Sequence, residues 1–568
     1  MVQWTNEPNM KLRRGVNDAG YKEISILKPS KGLNVLGADI GVDDKEATYG
    51  TRNIEYAEDG IVRKRPGYGS VGGALLNPSK GVGVYNSENL TYPLTSDGGV
   101  IKRLNGGVWT ALSSTVVADA SADVSFTSIE GNTYVWDGIS SGMVWNGTIL
   151  TRPGTMPRAK FSVIYKGYHV ASGVDGQPFR VYFAPAKEPS RFTNNVAPTD
   201  PNDVAVNDAA NVPGATMFTG ANSGQRAIDI NRNDGEKITG LGFFQDVLIV
   251  FKESSIYQLY FNDSNGFVVE RITSSYGCVA HATVCAVEND TYFLSENGVY
   301  VLGNEPNYYA AIRTNELSSR IKTILQQVPA GARYKASAVY FDDRYFLTVP
   351  LSGTAMNAVI VYDRRFYAWM LWDNIRANDM KVFREKDGTR HLYFTDDVAP
   401  FVREFTWGSY NDVGQPIEAV FRTKSFDARS IDTEKFWYIA RPVFRDFSGS
   451  VNVSFYSERG QEGQTTTVST AILGGIALDL LATSGFGWSV QDTMTDSDKG
   501  MTSGNSDATS VLSVSSNTVS TVPALINSRT LKMEFTNGNL NESFELLGYK
   551  VYYQEKDFAV MDGDSVYR

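Results

Sequence analysis

The chain has 568 residues, of which 42% are hydrophobic and 20% charged, and it carries a formal net charge of -10. This length exceeds what a single hydrophobic core supports and leaves room for roughly two to four domains. General nucleic-acid-binding proteins neutralise phosphates with clustered lysine and arginine. The acidic balance argues against that class.

The composition favours strands over helices. It includes 52 Gly, 30 Tyr and 29 Phe, and glycine supplies turns while aromatic side chains suit half-buried pleated surfaces. Cys278 and Cys285 are the only cysteines, so two reduced, buried thiols are expected in place of a disulfide framework. The N-terminus lacks the apolar core of a secretory signal, which leads us to expect a soluble product made in a cytoplasm.

Residues 1–75 are mixed and loop-rich, and we interpret them as an N-terminal arm or lead-in. A short helix is expected near Asp43 to Tyr49. A strand pair is expected around Ile54 and Ile61, turning at Glu58-Asp59-Gly60. This segment is too small to form a domain of its own.

Residues 76–414 repeat a pattern of paired short strands. Between Tyr276 and Gly303 the sequence reads YGCVAHATVCAVENDTYFLSENGVYVLG, two apolar runs around a tight turn. Comparable outgoing strands recur at intervals of roughly 40 to 60 residues, or about twice that, and they contain Val100, Val144, Ile256, Val299, Val361 and Val402. Repeats made of strands alone predict a β-propeller of about six or seven irregular blades. A stack of sandwiches remains the alternative.

One segment of this region has helical periodicity. Asn315 to Val328 places five apolar side chains on one helical face behind an asparagine cap, namely Leu317, Ile321, Ile324, Leu325 and Val328. This pattern predicts a helix that packs between blades or faces a neighbouring subunit.

Residues 415–568 alternate strongly and predict a C-terminal β-sandwich-like domain. Inward candidates are Val443, Val451, Val453 and Phe455, and closing strands are expected at Leu531–Phe535 and Leu546–Tyr553. The Ser/Thr-rich stretch from Gly460 to Ser520 is expected to form exposed strands and loops. The predicted fold class is therefore mainly β: an irregular β-propeller with an N-terminal lead-in and a C-terminal β-sandwich domain.

Candidate metal and cofactor motifs are weak. Cys278, His281 and Cys285 lie within eight residues, but on a regular strand the first would point away from the other two, so a buried strand is expected. Gly67, Gly69 and Gly72 match the dinucleotide spacing without the flanking strand and helix, which favours a turn-rich linker. In the TDSDKG segment, Asp496, Asp498 and Gly500 lack the distal glutamate of a calcium loop, which favours a polar turn.

Residues for nucleophilic catalysis are also scarce. The only other histidines are His169 and His391, each in a strand-like run. The carboxylate pairs Asp342/Asp343 and Asp396/Asp397 occur where turns need aspartate for backbone hydrogen bonds. We assign no catalytic, metal-binding or cofactor-binding residue and no cofactor, and we do not expect an enzyme.

Three segments in order carry a family resemblance. LNVLGADIGVDDKEATYGTRNIEYAEDGIVRKRPGYGSV, GCVAHATVCAVENDTYFLSENGVYVLG and LLGYKVYYQEKDF resemble the nozzle or hub protein of short-tailed bacteriophages, a group that includes tail tubular B-type and packaged-DNA stabilisation proteins. The long Ser/Thr-rich C-terminal stretch departs from the family pattern. Whether that end docks a needle or fibres therefore stays open.

The resemblance implies a structural virion protein of the phage tail that assembles with itself in a ring, in the family usually a homohexamer. The ring would lie below the portal and its adaptor protein, contact tail fibre or needle proteins, and let DNA pass without binding it specifically. An acidic chain suits that role because it repels phosphate. The alternative is a carbohydrate-binding or sialidase-like propeller, although the SxDxGxxW boxes of propeller sialidases are missing.

Overall fold

The protein is described here from a computed structural model that covers residues 21–129, 131–184, 189–192, 227–262, 266–273, 275–304, 312–469 and 518–556. Nearly all of its regular structure is β. Seven sheets form a propeller, and two further sheets form a sandwich beside it, which confirms the predicted fold class. Across these ranges, helices long and apolar enough to cross a membrane do not occur.

Six blades are formed by four consecutive antiparallel strands each, with the first strand innermost. Their bounds are as follows: blade 1, Ser79–Asn86, Thr91–Asp97, Val100–Asn105 and Val108–Ala111; blade 2, Ser125–Ile129, Asn132–Trp136, Met143–Trp145 and Leu150–Thr151; blade 3, Phe161–Tyr165, Tyr168–Val174, Gln177–Ala184 and Ala227–Asp229; blade 4, Ile238–Phe244, Val247–Lys252, Ile256–Asn262 and Gly266–Thr273; blade 5, Cys285–Val287, Asp290–Ser295, Gly298–Asn304 and Ile312–Glu316; blade 6, Ser337–Phe341, Arg344–Val349, Ala358–Asp363 and Ala368–Asp373. The six valine and isoleucine positions expected in outgoing strands all lie in third strands.

Blade 7 combines distant parts of the chain. Its first three strands are Ala377–Arg384, Arg390–Asp396 and Val402–Thr406, and its fourth is Gly67–Val71 from the lead-in. A short hairpin of Asn411–Asp412 and Gln415–Pro416 adjoins that fourth strand on its other edge. The glycine-rich segment read as a linker is thus a strand, and that expectation was wrong. Gly67 is required there because a Cβ would lie 1.9 Å from the Asn411 carbonyl oxygen of the adjoining hairpin.

The sandwich joins both ends of the chain. One sheet contains the lead-in strands Lys22–Leu27, Ile54–Tyr56 and Val62–Lys64 together with Lys435–Ser448, Thr518–Val519, Val522–Ser528 and Ser543–Glu555. The other contains Ala419–Arg422, Ser450–Ser457, Gly460–Ser469 and Lys532–Asn537. The four predicted inward side chains, Val443, Val451, Val453 and Phe455, are all buried. Most of the Ser/Thr-rich stretch, including TDSDKG, lies outside the described residues.

The lead-in therefore contributes strands to both the sandwich and the propeller. Its first three strands pair within the sandwich, as in Ile24 with Val551 and Val62 with Leu546, and its fourth completes blade 7. The expected strand pair around Ile54 and Ile61 is confirmed. The short helix expected near Asp43 to Tyr49 is wrong: this stretch forms turns and a bridge to Leu33, because the Ala47 amide and carbonyl bond to Gly32 and Asn34 and not within a helix.

The helix expected over Asn315 to Val328 is much shorter than predicted. Asn315 lies in the outer strand of blade 5 and is therefore not part of a helix. The helical part is limited to a 3-10 turn at Ser319–Ile321 and a single α-helical turn at Lys322–Leu325. Ile321, Ile324, Leu325 and Val328 are buried as predicted, against blades 5 and 6. Elsewhere in the described ranges, 3-10 turns occur at Arg232–Asp234, His281–Thr283 and Ala330–Lys335.

A network of buried charges fixes the lead-in to blade 6. The Arg344 guanidinium, 2% exposed, lies 3.0 Å from a Glu55 carboxylate oxygen and 3.3 Å from one of Asp363. Arg63 lies 2.6 Å from Glu55 on the other side. Arg344 also donates to the Tyr56 carbonyl. Because each charge has a partner, the network holds the sandwich and the propeller in one arrangement.

Removing one member of this network should be costly. Replacing Glu55 by Gln leaves the buried Arg344 short of a counter-charge, and we expect unfolding free energy to fall by about 3 to 5 kcal/mol. Glu555→Gln is the matched control, since its pair with Lys22 is exposed and contributes at most about 1 kcal/mol. Urea denaturation of both variants tests this. Equal losses would contradict the role given to the network.

Candidate functional site

The centre of the propeller contains side chains of types that can carry chemistry, among them His281 and Asp379, both bonded to inner strands. The innermost strand of each blade has one edge without a strand partner. Its amide and carbonyl groups must find other partners or water.

Side chains of neighbouring blades provide many of these partners. Hydrogen bonds cross all seven blade boundaries: Ser128 to the Val84 carbonyl, Thr127 to the Ser162 carbonyl, Tyr165 to the Asp246 carbonyl, Thr291 to the Phe243 carbonyl, Tyr345 to the Thr283 carbonyl, Ser337 to Asp379, and the Val82 amide to Asp379. The centre is therefore held together by a ring of polar contacts.

His281 is one of these contacts. It begins a 3-10 turn that precedes blade 5, so the regular strand expected across Cys278 to Cys285 is wrong. Its Nδ1 accepts the Leu241 amide hydrogen at 3.2 Å, and its ring stacks on Phe161 of blade 3 with centroids 4.4 Å apart. Burial, with a smaller effect of the Lys381 charge, lowers the pKa of His281 to about 3.

The two cysteines are packing residues with separate surroundings. Cys278 is fully buried, and its sulfur lies 3.1 Å from the Ala280 carbonyl oxygen. Burial raises its pKa to about 12 and that of Cys285 to about 11. Neither thiol is therefore activated as a nucleophile. Within the ranges that the structure describes, no group of three potential ligands could hold a metal ion.

Asp379 closes the ring of polar contacts between blades 6, 7 and 1. One carboxylate oxygen accepts from the Ser337 hydroxyl at 2.8 Å and the Met380 amide at 2.9 Å, and the other from the Val82 amide at 3.0 Å. Burial raises its pKa. A bulge between Ala377 and Met380 turns the carboxylate toward both neighbours. No motif or turn pattern in the sequence marks Asp379 as a central residue.

A buried serine and histidine pair was also missed. His169 Nε2 lies 2.9 Å from Ser162 Oγ, and its Nδ1 donates to the Pro189 carbonyl at 2.7 Å. The ring is 0% exposed behind Tyr134 and Trp136. Burial lowers its pKa to about 4. Because a substrate cannot reach it, we assign this pair to packing of blades 2 and 3.

The remaining sequence candidates lie in turns or on the surface. Asp342 and Asp343 both have positive φ in the tight turn between two strands of blade 6. Asp396 accepts amide hydrogens in the next blade's turn. His391, 22% exposed, lies 2.5 Å from Glu404 and 3.4 Å from Glu385. These positions are dispersed, and the described structure brings them to no common cleft.

A surface cleft lies between blades 2 and 3, lined by residues 154–158 and 174–177 with Tyr182 and Phe192. Its polar groups already have partners: Tyr182 donates to Gln177, and Lys160 pairs with Asp175 at 3.0 Å. Small-molecule sites usually present convergent free polar groups. This cleft offers few.

Comparisons with known proteins add little to this geometry. No family model and no curated protein matches the chain. Similar solved structures include YCF48 from Cyanidioschyzon merolae (10% identity, TM-score 0.33, covering 60% of this chain and 98% of that one) and the extracellular domain of BT4673 from B. thetaiotaomicron (11%, 0.28, covering 66% and 43%). An exo-beta-1,3-galactanase from Phanerochaete chrysosporium matches at 10% identity and TM-score 0.25, covering 79% of this chain and 100% of that one. The fold assignment rests on the strand pairing described above.

The two buried histidines predict a pH dependence of stability. Their folded pKa values, about 4 for His169 and about 3 for His281, lie below the ordinary value near 6.5. As pH falls below 6.5 the unfolded chain takes up protons first, so stability is lost by up to roughly 1.4 kcal/mol per pH unit for each histidine.

Urea denaturation at pH 7 and pH 5 measures this loss. The double variant His169→Gln/His281→Gln should show a clearly flatter dependence, while His391→Gln, which leaves both buried rings in place, should behave as the wild type. An unchanged slope in the double variant would show that other groups cause the pH dependence.

Proposed function

We propose that this protein is a structural component of a short-tailed phage tail, forming the nozzle or hub ring below the portal and adaptor. In this role it is part of the conduit for DNA ejection and of the gate that retains the genome. The observation that carries the proposal is the position of the three family-like segments. Two of them, the lead-in and the closing strand Ser543–Glu555, pair with each other although they come from opposite ends of the chain.

The construction of the molecule supports a mechanical role. The buried network of Arg344, Glu55 and Asp363 and a continuous apolar core join blades 6 and 7, the lead-in and the sandwich. Trp372 donates to the Ile54 carbonyl at 2.7 Å inside that core. A block in which both bodies share one core can transmit force without coming apart. That property suits a tail component under the pressure of packaged DNA.

The propeller's own centre is too narrow for DNA. The ring stack of Phe161 on His281 brings blades 3 and 5 into contact across blade 4, and Asp379 bridges blades 6 and 1. A conduit for a duplex would therefore have to run between copies of the chain. This supports assembly in a ring, which in the family usually contains six copies.

The charge of the chain fits a passage that DNA crosses without being held. A net charge of -10 produces a repulsive field for phosphate. Binding through counterion release needs clustered cations. We therefore expect weak, strongly salt-dependent association with DNA at most.

Assembly tests the proposal directly. Mass photometry and negative-stain microscopy of the purified full-length protein, alone and with portal and adaptor proteins of the same phage, should show a closed ring that joins the adaptor. We expect no retention of duplex DNA at 150 mM salt. A protein that stays monomeric and never joins the adaptor under these conditions would overturn the proposal.

The same preparation tests the carbohydrate alternative. Binding on a glycan array, or turnover of a sialoside, combined with failure to form a ring would favour it. A ring with no glycan binding would remove it. The two outcomes are distinguishable because they depend on different measurements of one sample.

A further inference from the structure

The circle of blades is continuous along the chain except at one place. In blades 1 to 6 all four strands come from one stretch of the chain and pair in chain order. In blade 7 the third strand ends at Thr406, and the fourth strand, Gly67–Val71, comes from the lead-in. We call Gly67–Val71 the clasp strand, since pairing alone attaches it to the blade it completes.

The clasp strand is held on both edges. On one edge it pairs antiparallel with Val402–Thr406 over five residues. On the other, the Gly67 amide donates to the Ser409 carbonyl at 2.7 Å, and the Val413 amide donates to the Tyr68 carbonyl at 3.0 Å. Its Tyr68 ring packs edge-on against Phe394 at 5.2 Å between centroids.

A buried ion pair lies at the entrance of the clasp. The Arg65 guanidinium, 1% exposed, donates to both carboxylate oxygens of Asp412 at 3.0 and 2.6 Å, and its Nε donates to Asn53 at 2.9 Å. Bidentate pairs of this kind are strong and directional. If Asp412 loses its charge, Arg65 stays buried without compensation, and the adjoining strand loses its anchor.

The clasp is connected to the sandwich without a spacer. Val62–Lys64 is a strand of the sandwich sheet, and the clasp strand begins three residues after it. Any displacement of the sandwich from the propeller therefore acts on Arg65 and the clasp strand first. Only two residues separate the two strands, so the connection cannot lengthen to accommodate such a displacement.

We infer that the clasp is a conformational device: it is the unit through which the propeller opens, and the sandwich controls it. Opening requires loss of the five-residue ladder, the two backbone bonds to residues 409–413 and the Arg65–Asp412 pair, without breaking chain continuity between adjacent blades. Val71 at the end of the clasp strand packs in one apolar cluster with side chains of blades 1 and 7, and its carbonyl accepts from Trp109 of blade 1 at 3.0 Å. Release of the clasp therefore also loosens the contact between blades 7 and 1.

The chain offers a matched control for this inference. In blade 3, Arg180 donates to both carboxylate oxygens of Asp229, at 2.6 and 3.0 Å, and this pair also joins an outermost strand to its neighbour. It has the same chemistry as the Arg65–Asp412 pair. It lies away from the closure, however, in a blade whose four strands pair in chain order.

Hydrogen exchange with mass spectrometry on the full-length protein separates the two sites. Asp412→Asn should speed exchange on the order of tenfold or more in the clasp strand, in Val402–Thr406 and at the inner strand of blade 1. Asp229→Asn should speed exchange only within blade 3. Overturning results would be acceleration confined to the clasp strand in Asp412→Asn, or spread to blade 1 in Asp229→Asn.

A second variant keeps the test decisive if Asp412→Asn does not fold. Ser70 and Arg403 lie directly opposite in the ladder, so Ser70→Cys/Arg403→Cys can close the clasp covalently. We expect the oxidised form to slow exchange in the clasp strand and blade 1 at least tenfold relative to the reduced form, with no change in blades 3 to 5. An oxidised clasp that leaves blade 1 exchange unchanged would refute the coupling.

Discussion

The pairing of the two chain ends in one sheet is the constraint on which the rest of the structure depends. Strand Ser543–Glu555 lies between the lead-in and Lys435–Ser448, and it contributes Phe544, Leu546, Tyr549 and Val551 to the largest core. That core extends into blades 6 and 7. If this strand were lost, the lead-in would lose its place in the sandwich, and the clasp strand would lose the support that positions it in blade 7.

This arrangement makes the fold highly non-local. Blades 1 to 6 can form from consecutive strands, each buried against its neighbours, but blade 7 and the sandwich need residues that are far apart in sequence. To form such a contact, the chain must first bring two distant segments together, which costs conformational entropy before the contact adds stability. This cost slows folding. During synthesis the lead-in emerges long before its partner strand Ser543–Glu555. The sandwich sheet therefore forms only after both segments are available, and loss of either segment acts on the sandwich and on blade 7.

The sequence predicted what depends on local patterns. Strict alternation and tight turns such as Asn297-Gly298 and Asp342-Asp343 located the hairpins, and the outgoing valines marked third strands in six of the seven blades. Blade 3 was missed because its third strand follows Asp175-Gly176, a turn that was not singled out. The sharing of the lead-in between two bodies could not be read from the pattern, since it follows from pairing over hundreds of residues. The Gly67 to Gly72 run looked like a linker for the same reason: Gly67 is needed because the backbone at Asn411, far away in sequence, passes next to it.

The centre of the propeller shows why its residue types did not indicate chemistry. Cysteine, histidine and aspartate in one neighbourhood would suggest a metal or a nucleophile, yet His281 and Asp379 accept amide hydrogens from inner strands and Cys278 is sealed in a core. An inner strand with an open edge needs acceptors, and a buried ring or carboxylate supplies one where water is scarce. Side chains that accept these hydrogen bonds stabilise the inner strands.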